Sequence, residues 1–381
     1  MSTNLIVRGT RASRFLPVAV AALVTAVGVS VAGPLTPPAG PVSSTSKTLQ
    51  EVEPRIAINS TNTPGDVDSL FRISQSGSYY LTGNLVGVSG KSGIEVAAAG
   101  VTIDFMGFTL TGVAGSLDGI KESGGQAQIT LRNGSLIGWG GRGVMLTNSS
   151  AIVEGLSAGG NASNGIDVGT NSVVRSCIAK SNTLDGIQVG TASVVVECSS
   201  AGNGGHGISA NSRCTVSKCA AEGNTGSGIV SSFGTLITEC SSGSNTLAGI
   251  SVSQGCTVSR CQVSFNTGDG ISTGNDGLII GNACDNSGNG AGVGAGILAS
   301  SSDNRIEGNS CTDGDYGIRI TASGNIVMRN TCAGNITSNW EIAIGNAVAP
   351  IVTAATNGAA ISGNTYAGPF GSTDPHANFT Y

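Results

Sequence analysis

"KCAAEGNTGSGIV" spans residues 218–230, between "ECSSAGNGGHGIS" at 197–209 and "ECSSGSNTLAGIS" at 239–251. In each, Cys is followed after four residues by Asn and after three more by Gly-Ile, and the phrase returns every 21 residues. Gly followed by Ile or Val begins at Gly93, Gly119, Gly143, Gly165, Gly186, Gly207, Gly228, Gly249, Gly270, Gly296 and Gly317. Every step from Gly165 to Gly270 is 21 residues; the earlier steps are 26, 24 and 22, and the later ones 26 and 21. Insertions into one repeating unit produce such a pattern. A unit of this length is too short for the helical-repeat families. Its apolar letters alternate, as in Gly165-Ile166-Asp167-Val168, which is the period of a strand. A second apolar column runs through Val174, Val195, Val216, Ile237 and Val258, and a Cys stands three residues after each. That spacing breaks the alternation, so a corner separates two short strands. Three strands and three corners per unit make one coil of a parallel β-helix, with each strand paired to its copy one coil away. The eleven Gly-Ile/Val steps predict an all-β solenoid of about eleven coils, roughly 50 Å long at ~4.8 Å per coil.

Composition agrees. Of 381 residues 60 are Gly, 11% are charged and 4% aromatic, so the core must be built from small and β-branched side chains. Glycine has no three-residue period, which excludes collagen, and 39% apolar residues argue against disorder. Residues 1–32 read as a secretory signal: Arg8, Arg11 and Arg14 precede an uncharged apolar run, and Ser30-Val31-Ala32 offers small residues for cleavage. A retained membrane anchor is the alternative for that run. Cleavage takes the net charge from −5 to −8 and leaves no basic tract, which argues against nucleic acid or anionic lipid as partner. Residues 33–52 are a Pro/Gly/Ser-rich linker, 53–90 an N-terminal cap, 91–350 the coils, and 351–381 a C-terminal cap carrying Tyr366, Phe370, Phe379 and Tyr381.

The recurring Asn182, Asn203, Asn224, Asn245 and Asn266 share a corner, where their amides can bond the turn and one another. Later coils shift the device to Asn282, Asn309 and Asn330. Asn161 begins an Asn-Ala-Ser glycan-acceptor motif, but the ladder accounts for the whole column. Cys177, Cys198, Cys219, Cys240, Cys261, Cys284, Cys311 and Cys332 are expected in one inward column, and Cys214 and Cys256 in another. Parallel Cβ vectors ~4.8 Å apart suit neither a disulfide nor tetrahedral zinc, so these are core-filling thiols. Glu197, Lys218, Glu239 and Arg260 form a corner column of alternating sign, expected to make weak ion pairs.

The segments "NRIEGNSCTDGDYGI" and "NTLDGIQVG" resemble the right-handed parallel β-helix repeats of the pectin-lyase-like superfamily, and "VTIDFMGFTLTG" at 101–112 resembles the first coil of many members. The stretch from "EVEPRIAIN" to "SGSYYLTGN" is similar to the N-terminal cap of uncharacterised exported bacterial members. The resemblance implies a right-handed coil over about residues 90–350. It fixes no activity, because that fold carries lyases, hydrolases, epimerases and adhesins.

An enzyme of this build would work in a groove along its side, so a site should be polar over successive coils. The residue before each repeat Gly gives such a column, with Asp118, Arg142, Asn164, Asp185 and His206; Asp167 and Gln188 lie two residues after theirs. Asp167, Asp185 and His206 are the candidate catalytic groups, His206 being the base. Asp118, Trp139, Arg142, Asn164 and Gln188 are the candidate substrate contacts, Trp139 as a stacking surface for a sugar ring and Arg142 as a fork for an anionic group. Asp276 and Asp303, on matching turns of neighbouring coils, are the candidate Ca²⁺ ligands. Turn-favouring Asp and Asn at solvated corners are the alternative for both sets, and the one the sequence favours. No Asp/Asp/Arg set matches a lyase family. Two functions follow: an exported, non-catalytic surface or envelope protein that binds polysaccharide or serves as a rod, and a polysaccharide lyase, epimerase or hydrolase. The sequence fixes no oligomeric state.

Overall fold

The computed structural model describes residues 53–148, 150–288, 294–353 and 372–381. The signal and linker segments, with Tyr366 and Phe370, lie outside the described residues. All regular structure within them is β, and the named strands pair only in parallel. A 13-stranded sheet runs in chain order from Ser69–Ile73 to Ser338–Ile342, and a 26-stranded sheet wraps the other two faces. One coil shows the build. Ile187–Val189 turns Ile187 and Val189 inward, Val194–Val196 turns only Val195 inward, and Ser199–Ala201 turns only Ser200 inward. Each strand pairs with its 21-residue successor, as Ile187 with Ile208, Val195 with Val216 and Ser200 with Ala221.

The 13 strands correct the count of eleven. Ser69–Ile73 and Ser338–Ile342 add a coil at each end without the Gly-Ile pair, carrying Leu70-Phe71 and Asn339-Trp340 instead. The segment expected to be a cap is therefore already wound, since Ser69–Ile73 and Gly77–Tyr80 pair in register with the strands above them. At the other end Asn378–Thr380 pairs with Thr331–Ala333 and Ile351–Thr353, while Tyr381 is 69% exposed.

The corner expected between the Val and Cys columns is one residue in the left-handed region. Ser176, Glu197, Lys218, Glu239 and Arg260 have φ between 52° and 56°. Glycine meets this demand most cheaply, and Gly155, Gly281 and Gly308 hold the same position in other coils. Here the charged side chains point to solvent, and Arg260 lies 3.0 Å from Glu239.

Inside the corners stand ladders. Asn182 Nδ2 donates to Asn203 Oδ1 at 3.0 Å and its main-chain N–H donates to the same oxygen at 3.0 Å. Asn203 Nδ2 repeats this on Asn224 at 2.9 Å and also reaches the Ala179 carbonyl at 3.3 Å. The run extends from Asn161 to Asn266, all at most 2% exposed, so Asn161 is buried and engaged rather than presented as a glycan acceptor. Buried amides are tolerated because every polar atom has a partner.

The thiols divide differently from expectation. Cys177, Cys198, Cys219, Cys240 and Cys261 line one corner, and Asn282, Asn309, Asn330 and Asn378 continue that same column. Cys284, Cys311 and Cys332 belong two residues further on, in register with Val263. All ten are buried and free. Cys219 Sγ lies 3.2 Å from the Ser217 carbonyl, and its bonded neighbour Cys198 together with burial pushes the thiol up to about 12. A thiol so held stays protonated at neutral pH, as core filler requires.

The repeat Gly is set by the next coil. A Cβ on Gly207 would lie 2.6 Å from the Gly228 carbonyl oxygen and 2.7 Å from Asn224 Nδ2. Both are fixed by ladders, so neither can yield. Gly207→Ala is expected to lower stability by about 1–3 kcal/mol in urea unfolding, whereas the outward Ser209→Ala should stay within ~0.5 kcal/mol. Equal midpoints for the two variants would contradict the close approach.

Candidate functional site

The column before the repeat Gly stitches coils together. Asp118 Oδ1 accepts the Arg142 N–H at 2.7 Å, Asn164 Oδ1 that of Asp185 at 3.1 Å, and Asp185 Oδ1 that of His206 at 2.7 Å. His206 Nδ1 accepts the Ser227 N–H at 3.0 Å, and Asp269 Oδ1 that of Ala295 at 2.9 Å. Glycines leave room for these contacts: a Cβ on Gly141 or Gly205 would lie 2.4 or 2.3 Å from the Asp118 or Asp185 oxygen. His206 therefore spends Nδ1 as an acceptor, leaving Nε2 to carry the proton of the neutral ring.

Four of the candidate residues meet on the outer face of the 13-stranded sheet. Asp167, at the centre of Ile166–Val168, lies in register between Met145 and Gln188. Arg142 Nε lies 2.8 Å from Asp167 Oδ2, and Asn164 Nδ2 donates to Asp167 Oδ2 at 3.3 Å and to Gln188 Oε1 at 2.7 Å. Asp167 is 3% exposed, and burial raises its carboxyl above the usual range; Arg142 opposes the rise and the Asp185 charge adds to it.

Trp139 is not with them. It is 2% exposed, with Nε1 donating to the Leu110 carbonyl at 3.2 Å, so it offers no ring to a sugar. Its main-chain N–H donates to Asn161 Oδ1 at 3.0 Å, which places it at the head of the Asn ladder. A large ring fits there because Gly87, Gly93 and Gly119 pack against the indole.

Asp276 and Asp303 are left-handed corner residues of consecutive coils, with φ of 58° and 63°. Asp276 Oδ2 accepts from Gln254 Nε2 at 3.0 Å and Asn275 Nδ2 at 2.9 Å, and Asp303 Oδ2 from Ser302 Oγ at 2.8 Å. Their oxygens serve their own turns and, for Asp276, the turn one coil before, which fits Asp at left-handed corners. Among the described residues three acids converge elsewhere, at Asp66, Asp68 and Glu95. Cations already meet them: Lys121 Nζ is 2.8 Å from Asp68 and 3.3 Å from Glu95, and Arg72 is 3.0 Å from Asp66.

A feature the motifs did not reveal is a shallow open trough of about 380 Å³ lined by Gln188, Ser209, Asn211, Ser231, Ser251 and Ser253. It lies over the plain coils of Gly207, Gly228 and Gly249, beside the polar stripe rather than along it. Its sequence signal was the outward register of Gln188, Ser209 and Ser251.

The family model described as "Right handed beta helix region" matches residues 118–256 and 207–367. The chain belongs to this family. No curated protein matches it by sequence. The A-module of the Azotobacter vinelandii mannuronan C-5 epimerase AlgE4 is similar in structure, with TM-score 0.60 at 17% identity over 72% of this chain and 90% of that one. The periplasmic alginate epimerase AlgG gives 0.50 at 13% identity over 79% and 81%, and the Agl-KA catalytic domain 0.52 at 12% over 68% and 60%. At such identities the likeness shows the fold, and it agrees with the pectin-lyase-like coil implied by the repeats.

Because the folded Asp167 carboxyl is raised, the native state binds its proton more tightly than the unfolded chain. Its contribution is present below the ordinary aspartate value of 3.8 and is lost as pH rises through the folded value. Across that window wild-type stability should fall relative to Asp167→Asn as pH increases, measured by urea unfolding at each pH. Parallel profiles would remove the buried-carboxyl assignment.

Proposed function

We propose that this chain is an exported, non-catalytic β-helix that binds polysaccharide on the outer face of its 13-stranded sheet. The observation that carries the reading is the trough spanning Gln188 to Ser253, walled mostly by hydroxyl and amide side chains with Val230 among them. Such groups match sugar hydroxyls without the cost of stripping water from charges. The groups first in line for catalysis support it from the other side. Asp185 and His206 each hold a main-chain N–H of the next coil, and Asp167 is paired with Arg142. Export rests on the layout of residues 1–32. The names of the similar structures, mannuronan and alginate epimerases, supply the substrate class by analogy.

A second reading, a carbohydrate-active enzyme, is favoured by one observation: a buried, raised carboxyl at Asp167 beside Arg142. A Ca²⁺ at Asp276 and Asp303 belongs to that reading only, and both carboxylates already bond neighbouring side chains.

One experiment separates the two. The purified protein is run through gels containing neutral or acidic polysaccharides, and the same polymers are assayed for product. Retardation on at least one polymer without product is expected, and Gln188→Ala with Asn211→Ala should weaken it about 30-fold, at ~1 kcal/mol for each of two lost bonds. Product release abolished by Asp167→Asn would replace the binding reading with the enzymatic one. Neither retardation nor product on any polymer would overturn both.

A further inference from the structure

The face opposite the core from Val174, Val195, Val216, Ile237 and Val258 carries two outward rows with an order that neither the polysaccharide reading nor the fold requires. One row passes through Leu236 and the other through Thr238, the two outward residues of Leu236–Thr238. One coil away on either side stand Thr215 and Thr257 in the first row, Ser217 and Ser259 in the second. Two coils away stand Val194 and Leu278, with Val196 and Ile280 beside them. At three coils the second row ends in charges of opposite sign, Arg175 and Glu307. At four, the first row closes on Ile152 and Ile326 and the second on Glu154 and Met328, with Arg329 at the left-handed corner just beyond Met328. The sequence of this face thus reads nearly the same in both directions from Leu236, except that Val173 is matched by Arg305, Glu154 by Met328, and Arg175 by a residue of opposite charge, Glu307. It is also apolar for an outer surface, with Ile152, Leu236 and Ile326 about 40% exposed (42%, 39% and 41%).

We propose that this face is the interface of a two-fold antiparallel dimer of the chain. The axis runs along the strand direction through Leu236–Thr238. A two-fold contact requires a self-complementary patch, in which residue i meets j and j meets i. Reversing one copy about that axis places Leu236 on its counterpart, Thr215 on Thr257, Ser217 on Ser259, and Val196 on Ile280. Arg175 then faces Glu307, twice by symmetry; within each chain Arg175 lies 2.7 Å from Glu154, and Glu307 2.7 Å from Arg305 and 2.9 Å from Arg329, so the contact brings two ion-pair clusters together. Charge at the rim with an uncharged centre fixes register and direction. A parallel or slipped pairing would set Arg175 against uncharged residues or its own copy. Nine coils at ~4.8 Å and a three-residue width offer on the order of 500 Å² per copy, at the low end of specific contacts, so a weak and reversible dimer is expected.

The test uses the purified full chain. Sedimentation from about 1 to 200 µM should show a reversible monomer–dimer equilibrium within that range. Leu236→Glu, which sets two carboxylates on the axis, should raise the dissociation constant by about 100-fold, with an unchanged melt because the side chain points outward. Arg175→Glu should weaken the dimer, and adding Glu307→Arg should restore it. Thr238→Cys should oxidise to a covalent dimer without interference from the ten buried native thiols. Ser217→Cys should cross-link only when mixed with Ser259→Cys. A chain monomeric across the range, a dimer indifferent to Leu236→Glu, or Ser217→Cys linking to itself would each overturn the proposal.

Discussion

Each residue in this protein meets its own counterpart one coil away, at the spacing of hydrogen-bonded strands, ~4.8 Å. At that distance only certain side chains can face copies of themselves. Asn can, because its carbonyl oxygen accepts from the amide and main chain of one neighbouring coil while its own amide reaches the other side. A small thiol can, bonding to carbonyls on its own turn and the turn before. Gly must stand wherever the backbone of the next coil is too near for a Cβ. The three fixed letters of the repeat are three solutions to this one constraint; the letters between them vary, outward ones freely and the inward position two after Cys among Ala, Ser and Val.

The same constraint shows why the fold was legible and parts of the site were not. Period, alternation and the Asn column follow from a residue repeating against itself, and the chain displays all three. The Cys column was misjoined because residue type was followed where register should have been. Cys261 to Cys284 is a step of 23 residues, whereas Cys261 to Asn282 is the full 21, so Asn rather than Cys inherits the corner. Trp139 carries a similar lesson. It stands 22 residues before Asn161, the local coil step from Gly143 to Gly165, and that places it inward at the ladder's head. Read only as an aromatic near Arg142, it looked like a binding surface. The meeting of Arg142, Asn164, Asp167 and Gln188 was visible in their columns; the trough depends on the depth of the outer surface, which no column records.

Polar residues in such a solenoid have two uses, and the first claim on them is structural. Asp118, Asn164, Asp185 and His206 each satisfy a main-chain N–H of the following coil, so their chemistry is bound up in holding the rod. What remains free for a partner is the smooth outer surface: hydroxyls over one sheet, and a β-branched, charge-rimmed strip over another. A rod of 13 rows is about 60 Å long at ~4.8 Å per row, a length suited to repeating partners.

If coils hold one another through one residue per coil, damage to a single rung must spread to its neighbours and fade beyond them. Native-state hydrogen exchange of Asn224→Ala measures this directly. The substitution removes the Oδ1 that accepts both the main-chain and the Nδ2 N–H of Asn203, and it takes from Asn245 Oδ1 one of its two donors, Nδ2, leaving the main-chain N–H of residue 224. The account predicts lost protection in the substituted coil and in the coils on either side, those of Asn203 and Asn245, with Asn161 and Asn309 near wild type. Protection lost only at the turn of residue 224, or uniformly along the chain, would contradict a structure held together coil by coil.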